Sequence, residues 1–183
     1  MRNALLLLLS ITFVVIIRPV LSCATDFGWN EVGVRTGFPV SSRLGHFSQH
    51  EVFAVYGLPW NWLNISGWSI TPHINTSLGV LTDRNETGII ASVGATMVLN
   101  KHKSGVSTEL GINANLLDRR NFGNVDFGSI LQFGEFAGIS YRFNNRLKIG
   151  YRIQHMSNGR ILYPNHTPNP GLDLHLSAIS FVF

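Results

Sequence analysis

His155 and Ser157 stand two residues apart near the C-terminal end of a 183-residue chain, and Asp173 follows one loop later. Serine, histidine and a carboxylate are the parts of a nucleophilic triad: the imidazole takes the hydroxyl proton, and the acid fixes its orientation and tautomer. On a β-strand, residues i and i+2 share a face with Cα atoms about 6–7 Å apart, close enough for a serine Oγ to meet an imidazole nitrogen. A carboxylate directly across an antiparallel ladder has its Cβ about 5 Å away, within reach of the same ring. The alternative for these three residues is a polar girdle at the level of lipid headgroups, where such side chains are tolerated.

Those distances presuppose strands, and the sequence supplies them. From residue 25 onward apolar and polar residues alternate with period two in eight stretches, at roughly 30–39, 49–58, 69–81, 87–100, 105–116, 129–143, 147–157 and 172–183. Turn-forming groups such as Asp83-Arg84-Asn85, Lys103-Ser104-Gly105 and Asn144-Asn145 separate them. In the fifth, Val106, Leu110, Ile112, Ala114 and Leu116 oppose Glu109, Gly111, Asn113 and Asn115. The last stretch ends Ser-Phe-Val-Phe, with Ile179, Phe181 and Phe183 on one face. A terminal phenylalanine on an alternating strand resembles the assembly signal of bacterial outer-membrane barrels. Eight strands of about ten residues, apolar outside and polar inside, match the smallest such barrels, and closure removes the edges that lipid cannot tolerate. The expected fold class is therefore all-β, an eight-stranded antiparallel transmembrane β-barrel of the bacterial outer membrane. An even strand number puts both termini in the periplasm and the segment 158–171 outside.

Parity then places the chemistry. Ile149, Tyr151 and Ile153 fix the odd face of the seventh stretch toward lipid, and His155 and Ser157 continue that face. In the eighth, Phe183, Phe181 and Ile179 carry the same face up to Ser177, His175 and Asp173. Polar groups facing hydrocarbon are costly, so their concentration at the shared outer end of two neighbouring strands points to function. Glu135 is a rival acid. If the chain turns over 144–146, residue 135 lies opposite 155, and a one-residue slip would exchange the faces. Asp173 and Glu135 both remain candidates to orient His155.

Composition excludes several other classes. Only 13% of residues are charged, about half the share usual in soluble domains, while 45% are hydrophobic. Arg2 and Arg18 flank the first apolar segment, and the rest of the chain has twelve cations against ten acids. No basic stripe is left for nucleic acid. The lone Cys23 cannot form an internal disulfide or a cysteine zinc site. His46, His50, His73, His102 and His166 lack metal-ligand spacing, so no metal and no cofactor is expected. Residues 1–24 read as a signal peptide: Arg2, an apolar run closed by Arg18-Pro19, then Ser22 and Ala24. The run is shorter than the roughly 20 residues of a membrane-spanning helix. Val20-Leu21-Ser22-Cys23 is an imperfect lipobox, so ordinary cleavage near 24 is expected, leaving 25–183 as the barrel.

The stretch from Phe133-Gly-Glu-Phe through Tyr141-Arg-Phe-Asn-Asn-Arg-Leu-Lys-Ile-Gly-Tyr-Arg-Ile-Gln-His155-Met-Ser157-Asn158-Gly159, followed by Asn169-Pro-Gly171-Leu-Asp173, resembles the lipid A 3-O-deacylase (PagL) family. The resemblance is specific over about the last fifty residues. It implies an outer-membrane esterase that removes the ester-linked acyl chain at the 3 position of lipid A, without a metal. Carried onto this chain, it implies His155 as base, Ser157 as nucleophile and Asp173 as orienting acid. The family generally has glutamate at the last position, and the loop 160–170 is longer here than usual. Oxyanion donors would come from Asn158 and Gly159, just after the nucleophile, or Asn169, just before the acid. The implied partners are lipopolysaccharide and the surrounding outer-membrane lipid, with the site at the outer leaflet and a homodimer left open. Arg119, Arg120 and Arg160 could pair with lipid A phosphates or stay solvated. Glu31, Arg35, Glu109, Arg142 and Arg152 are expected to fill the lumen as an ionic plug. The competing functions are a non-catalytic barrel for adhesion or anchoring and, disfavoured by the crowded lumen, a narrow channel.

Overall fold

The computed structural model describes residues 28–41, 46–65, 67–84, 86–101, 104–144, 146–159 and 171–183. The signal segment 1–24, Arg160 and Asn169 lie outside them. Eight long strands form the wall: β1 (Gly28–Pro39), β2 (Phe47–Gly57), β4 (Trp68–Asp83), β5 (Glu86–Lys101), β6 (Val106–Leu117), β9 (Leu131–Phe143), β10 (Leu147–Ser157) and β11 (Leu172–Val182). Each pairs antiparallel with its sequence neighbours, and β1 with β11 closes the ring into an eight-stranded barrel. Three short strands, absent from the sequence-based expectation, are β3 (Trp62–Ile65), β7 (Asn121–Phe122) and β8 (Val125–Asp126). β3 folds back on β4 at the end of the barrel that holds both wall termini, so that connection is not the short turn expected there. β7 and β8 form a hairpin in the 118–130 loop at the opposite, distal end.

The alternation is realised along the wall. Val34, Val52, Leu78, Ile89, Val93, Leu110, Ile112, Ile139, Ile153, Ile179 and Phe183 all point outward and exposed. A continuous apolar exterior of this size would be unstable in water and is what a lipid-facing barrel requires.

The interior is divided along its length. From the end that holds the wall termini up to mid-height it is ionic: Lys148 Nζ lies 2.7 Å from Glu31 Oε2, and farther up Arg35 Nε lies 2.7 Å from Glu51 Oε1. Gln49 Nε2 and Ser77 Oγ donate to Glu51 Oε2, and Ser180 Oγ donates to Glu31 Oε1. The plug is thus centred on Glu51, which the strand parity left unremarked, while Arg142 is exposed at the barrel end. His73 and Glu109 line the small cavity, about 40 Å³, that remains among these groups. The distal half is apolar: Phe47, Leu81, Ile90, Leu117, Phe122, Phe127, Met156, Leu172, Leu174 and Leu176 are all buried together. Phe47, Phe122 and Phe127 meet pairwise edge-on, with centroids 5.8–6.1 Å apart. The lumen is therefore not polar throughout, because the 118–130 loop folds its aromatics down into the mouth.

Candidate active site

The site is built by the register of three strands. The turn after Phe143 sets Leu147 opposite that residue, and counting up the ladder puts His155 opposite Glu135 on β9. On its other side His155 stands opposite Asp173 of β11. The same ladders send Ile149, Tyr151 and Ile153 outward, so the imidazole stands on the outer wall at the distal end of the barrel.

His155 Nδ1 lies 2.7 Å from Asp173 Oδ1. With the carboxylate accepting from Nδ1–H, the second proton is absent from Nε2, which becomes the basic nitrogen. Asp173 is itself tied down, since its carbonyl accepts a 2.9 Å bond from the N–H of Val40, just beyond β1. Ser157 is half-buried on the same face as His155 and opposite Phe133. Among the described residues its hydroxyl makes no hydrogen bond, and such contacts often tighten only when substrate is seated. Gly171, with φ at 71°, leads into β11 and packs against the imidazole.

Of the two rival acids, Asp173 makes the bond. Glu135 is exposed opposite His155 and has no hydrogen-bond partner among the described residues. A charged group flanking the ring but not bonded to it is a different arrangement from an orienting acid. His175 turns to Tyr151, whose hydroxyl is its hydrogen-bond partner.

The candidate oxyanion donors separate. Asn158 is 5% exposed and its side chain enters the barrel, where Nδ2 donates to the carbonyl of Phe127 at 3.1 Å. Its amide thus serves the interior, which leaves its backbone on the serine's side of the question. Gly159 is exposed with φ at 58°. Arg119 and Arg120 are half-exposed at the distal end, near Asp118 and Asp126 respectively.

Sequence reasoning missed two features. One is Gly171, whose backbone stands against the imidazole, and no period-two pattern reports that. The other is a second outward polar pair: Thr36 Oγ1 lies 2.9 Å from His50 Nδ1, with Ser177 opposite Thr36 on the neighbouring strand. Its signal was available, since Thr36 interrupts the apolar face set by Val32, Val34 and Phe38.

The comparisons agree on one family. A family model described as Lipid A 3-O-deacylase (PagL) matches residues 48–181. The lipid A deacylase PagL of Bordetella bronchiseptica is 36% identical over 75 residues, which cover 41% of this chain and 40% of that protein. The match thus spans less than half the length of this relative. A crystal structure of the outer membrane enzyme PagL superposes with a TM-score of 0.69 at 16% identity, over 82% of this chain and 97% of the other. Neisserial surface protein A, at a TM-score of 0.43, is too distant to carry an argument. With the family model covering most of the sequence and the same barrel in the solved relative, the chain belongs to the lipid A 3-O-deacylase (PagL) family.

Proposed function

We propose that this barrel is a lipid A 3-O-deacylase that works by serine hydrolysis on its lipid-facing wall, at the level of the outer leaflet. The observation that carries the mechanism is the His155–Asp173 hydrogen bond on the outward face, with Ser157 two residues along the same strand. An ordinary polar girdle has no need to pair an imidazole with a carboxylate beside a serine.

In this reading His155 Nε2 accepts the Ser157 proton as Oγ attacks the ester carbonyl carbon of the 3-position acyl chain. Asp173 stabilises the imidazolium and keeps the ring aimed. Backbone N–H groups at Asn158 or Gly159, or the side chain of Asn169, hold the oxyanion of the tetrahedral intermediate. The imidazolium then protonates the sugar oxygen as it leaves, and an acyl group remains on Ser157. Water, deprotonated by His155, releases the fatty acid and restores the serine. Lipid A reaches an outward site of this kind by lateral diffusion within the leaflet, with no entry channel. In this reading Arg119 and Arg120, exposed at the same end of the barrel, pair with its phosphates.

The test is mass spectrometry of lipid A from cells making either the wild-type protein or Ser157→Ala. Loss of one ester-linked acyl chain with the wild type alone is the expected result. Identical lipid A from both, with both proteins folded in the outer membrane, would favour the non-catalytic barrel.

A further inference from the structure

The carbonyl of Phe127 is a buried acceptor shared by two amides. Asn158 Nδ2 donates to it at 3.1 Å and Gln132 Nε2 at 3.3 Å. Gln132 also donates to the carbonyl of Ser129 at 2.6 Å, and its side chain is fully buried. Asn158 is the residue next to Ser157, at the point where β10 ends and the ladder no longer holds the chain. Its backbone would be free to fray there, as strand ends are, without a side-chain anchor.

That anchor is unusually rigid for a loop. Phe127 is buried against Phe47 and Phe122. Its N–H bonds the carbonyl of Arg120 at 2.9 Å, and the N–H of Gly128 bonds Asp126 Oδ1 at 2.7 Å. The loop is stitched to the wall at both ends, Asp118 N to Ile89 O and Leu117 N to Ile130 O. The aromatic plug and the neighbour of the serine are thus connected through the carbonyl oxygen of Phe127.

We infer that Gln132 and the side chain of Asn158 are positioning residues for the hydrolytic serine: through the Phe127 carbonyl they fix the end of β10, and with it the placement of Ser157 Oγ against His155. Neither touches substrate, since both side chains lie inside the barrel while the serine faces out. Gln132 aims the Phe127 carbonyl, and the carbonyl holds Asn158. Small displacements of a reacting group are expensive in rate, about 100-fold for 1 Å, whereas affinity for a lipid held along the outer wall does not depend on them.

This inference rests on the proposed hydrolysis at Ser157, and the experiment separates the two. The full-length protein is purified into lipid-containing micelles, and kcat and KM for lipid A are measured for wild type, Ser157→Ala and Gln132→Met. Methionine keeps the length of the buried side chain and removes both donors. Gln132→Met should lower kcat about tenfold or more at unchanged KM, the signature of an interaction felt in the transition state alone. Its rate of inactivation by an alkyl fluorophosphonate, which reads serine reactivity directly, should fall by a similar factor. An inert Ser157→Ala with a Gln132→Met kcat within twofold of wild type overturns this inference and leaves the hydrolase standing. Full activity in Ser157→Ala overturns both. Should Gln132→Met fail to fold, Asn158→Asp keeps the side-chain shape and removes the Nδ2 donor, and a kcat within twofold of wild type is again the overturning result.

Discussion

A Cβ built on Gly171 would stand 2.5 Å from Cε1 of His155 and 3.2 Å from its Nε2, so the bare backbone of residue 171 is the wall against which the imidazole rests. Asp173 holds the ring by one nitrogen and Gly171 limits how far it can swing. The two act from the same short entry into β11. Gly171→Ala should therefore displace the ring and, because φ at this position is left-handed, strain the backbone as well. The expected loss of deacylation is about 100-fold, with the protein still migrating as a folded barrel on unheated gels. Retention of full rate would show that the ring needs no such wall.

The two acids give opposite expectations. Asp173→Asn removes the charge that stabilises the imidazolium and permits the wrong tautomer, so activity should fall at least about 100-fold. Glu135→Gln should leave turnover within about twofold, because nothing bonded to the ring is removed, and surface charges at this distance contribute little. Asp173→Glu should keep substantial activity, in line with the residue usual in the family. Release of fatty acid from lipid A measures all three.

Inside the barrel, Glu51 is the partner of Arg35 and stands 3.6 Å from Arg152, and all three side chains are buried. Glu51→Ala leaves two guanidinium groups without their carboxylate, a situation that typically costs about 3–5 kcal/mol. Thermal unfolding in micelles should show a clear drop in midpoint. Activity measured well below that midpoint should be preserved, since these side chains face the lumen while His155 and Ser157 stand on the outer face.

At the distal end, Phe122→Ala empties a fully buried ring from the aromatic plug, a change of about 3–5 kcal/mol in comparable cores. Here both readouts should move, the midpoint downward and kcat downward with it, because Phe127 packs on Phe122 and supports Asn158. A variant that is destabilised yet fully active would separate the plug from the site.

Much of this architecture was legible in the chain because a barrel wall imposes period two along each regular strand, broken in β1 only where a bulge between Trp29 and Glu31 shifts the register. The ranges 87–100, 129–143 and 147–157 fell within a few residues of β5, β9 and β10, and a turn over 144–146 implied the pairing of His155 with Glu135 that the ladder shows. Parity also put His155, Ser157 and Asp173 on one outward face. Parity cannot decide between two carboxylates flanking the same residue, since Glu135 and Asp173 are equivalent in it. Side-chain reach separates them, since Asp173 bonds the ring and Glu135 does not among the described residues. The apolar half of the lumen escaped for a related reason: Phe122 and Phe127 belong to a loop, and a loop that folds inward leaves no periodic trace. The cross-barrel glycines were equally silent. Gly134 is small because Asn113 passes over it toward Gln154, a relation between β6 and β10 that skips the strand in between.

The filled interior also decides which side of the wall is available for contact. Among the described residues ion pairs occupy the bore up to mid-height and three phenylalanines plug its distal end, and the cavity among the ionic groups is about 40 Å³. With side chains filling the bore, the barrel offers its outer face rather than its lumen to other molecules.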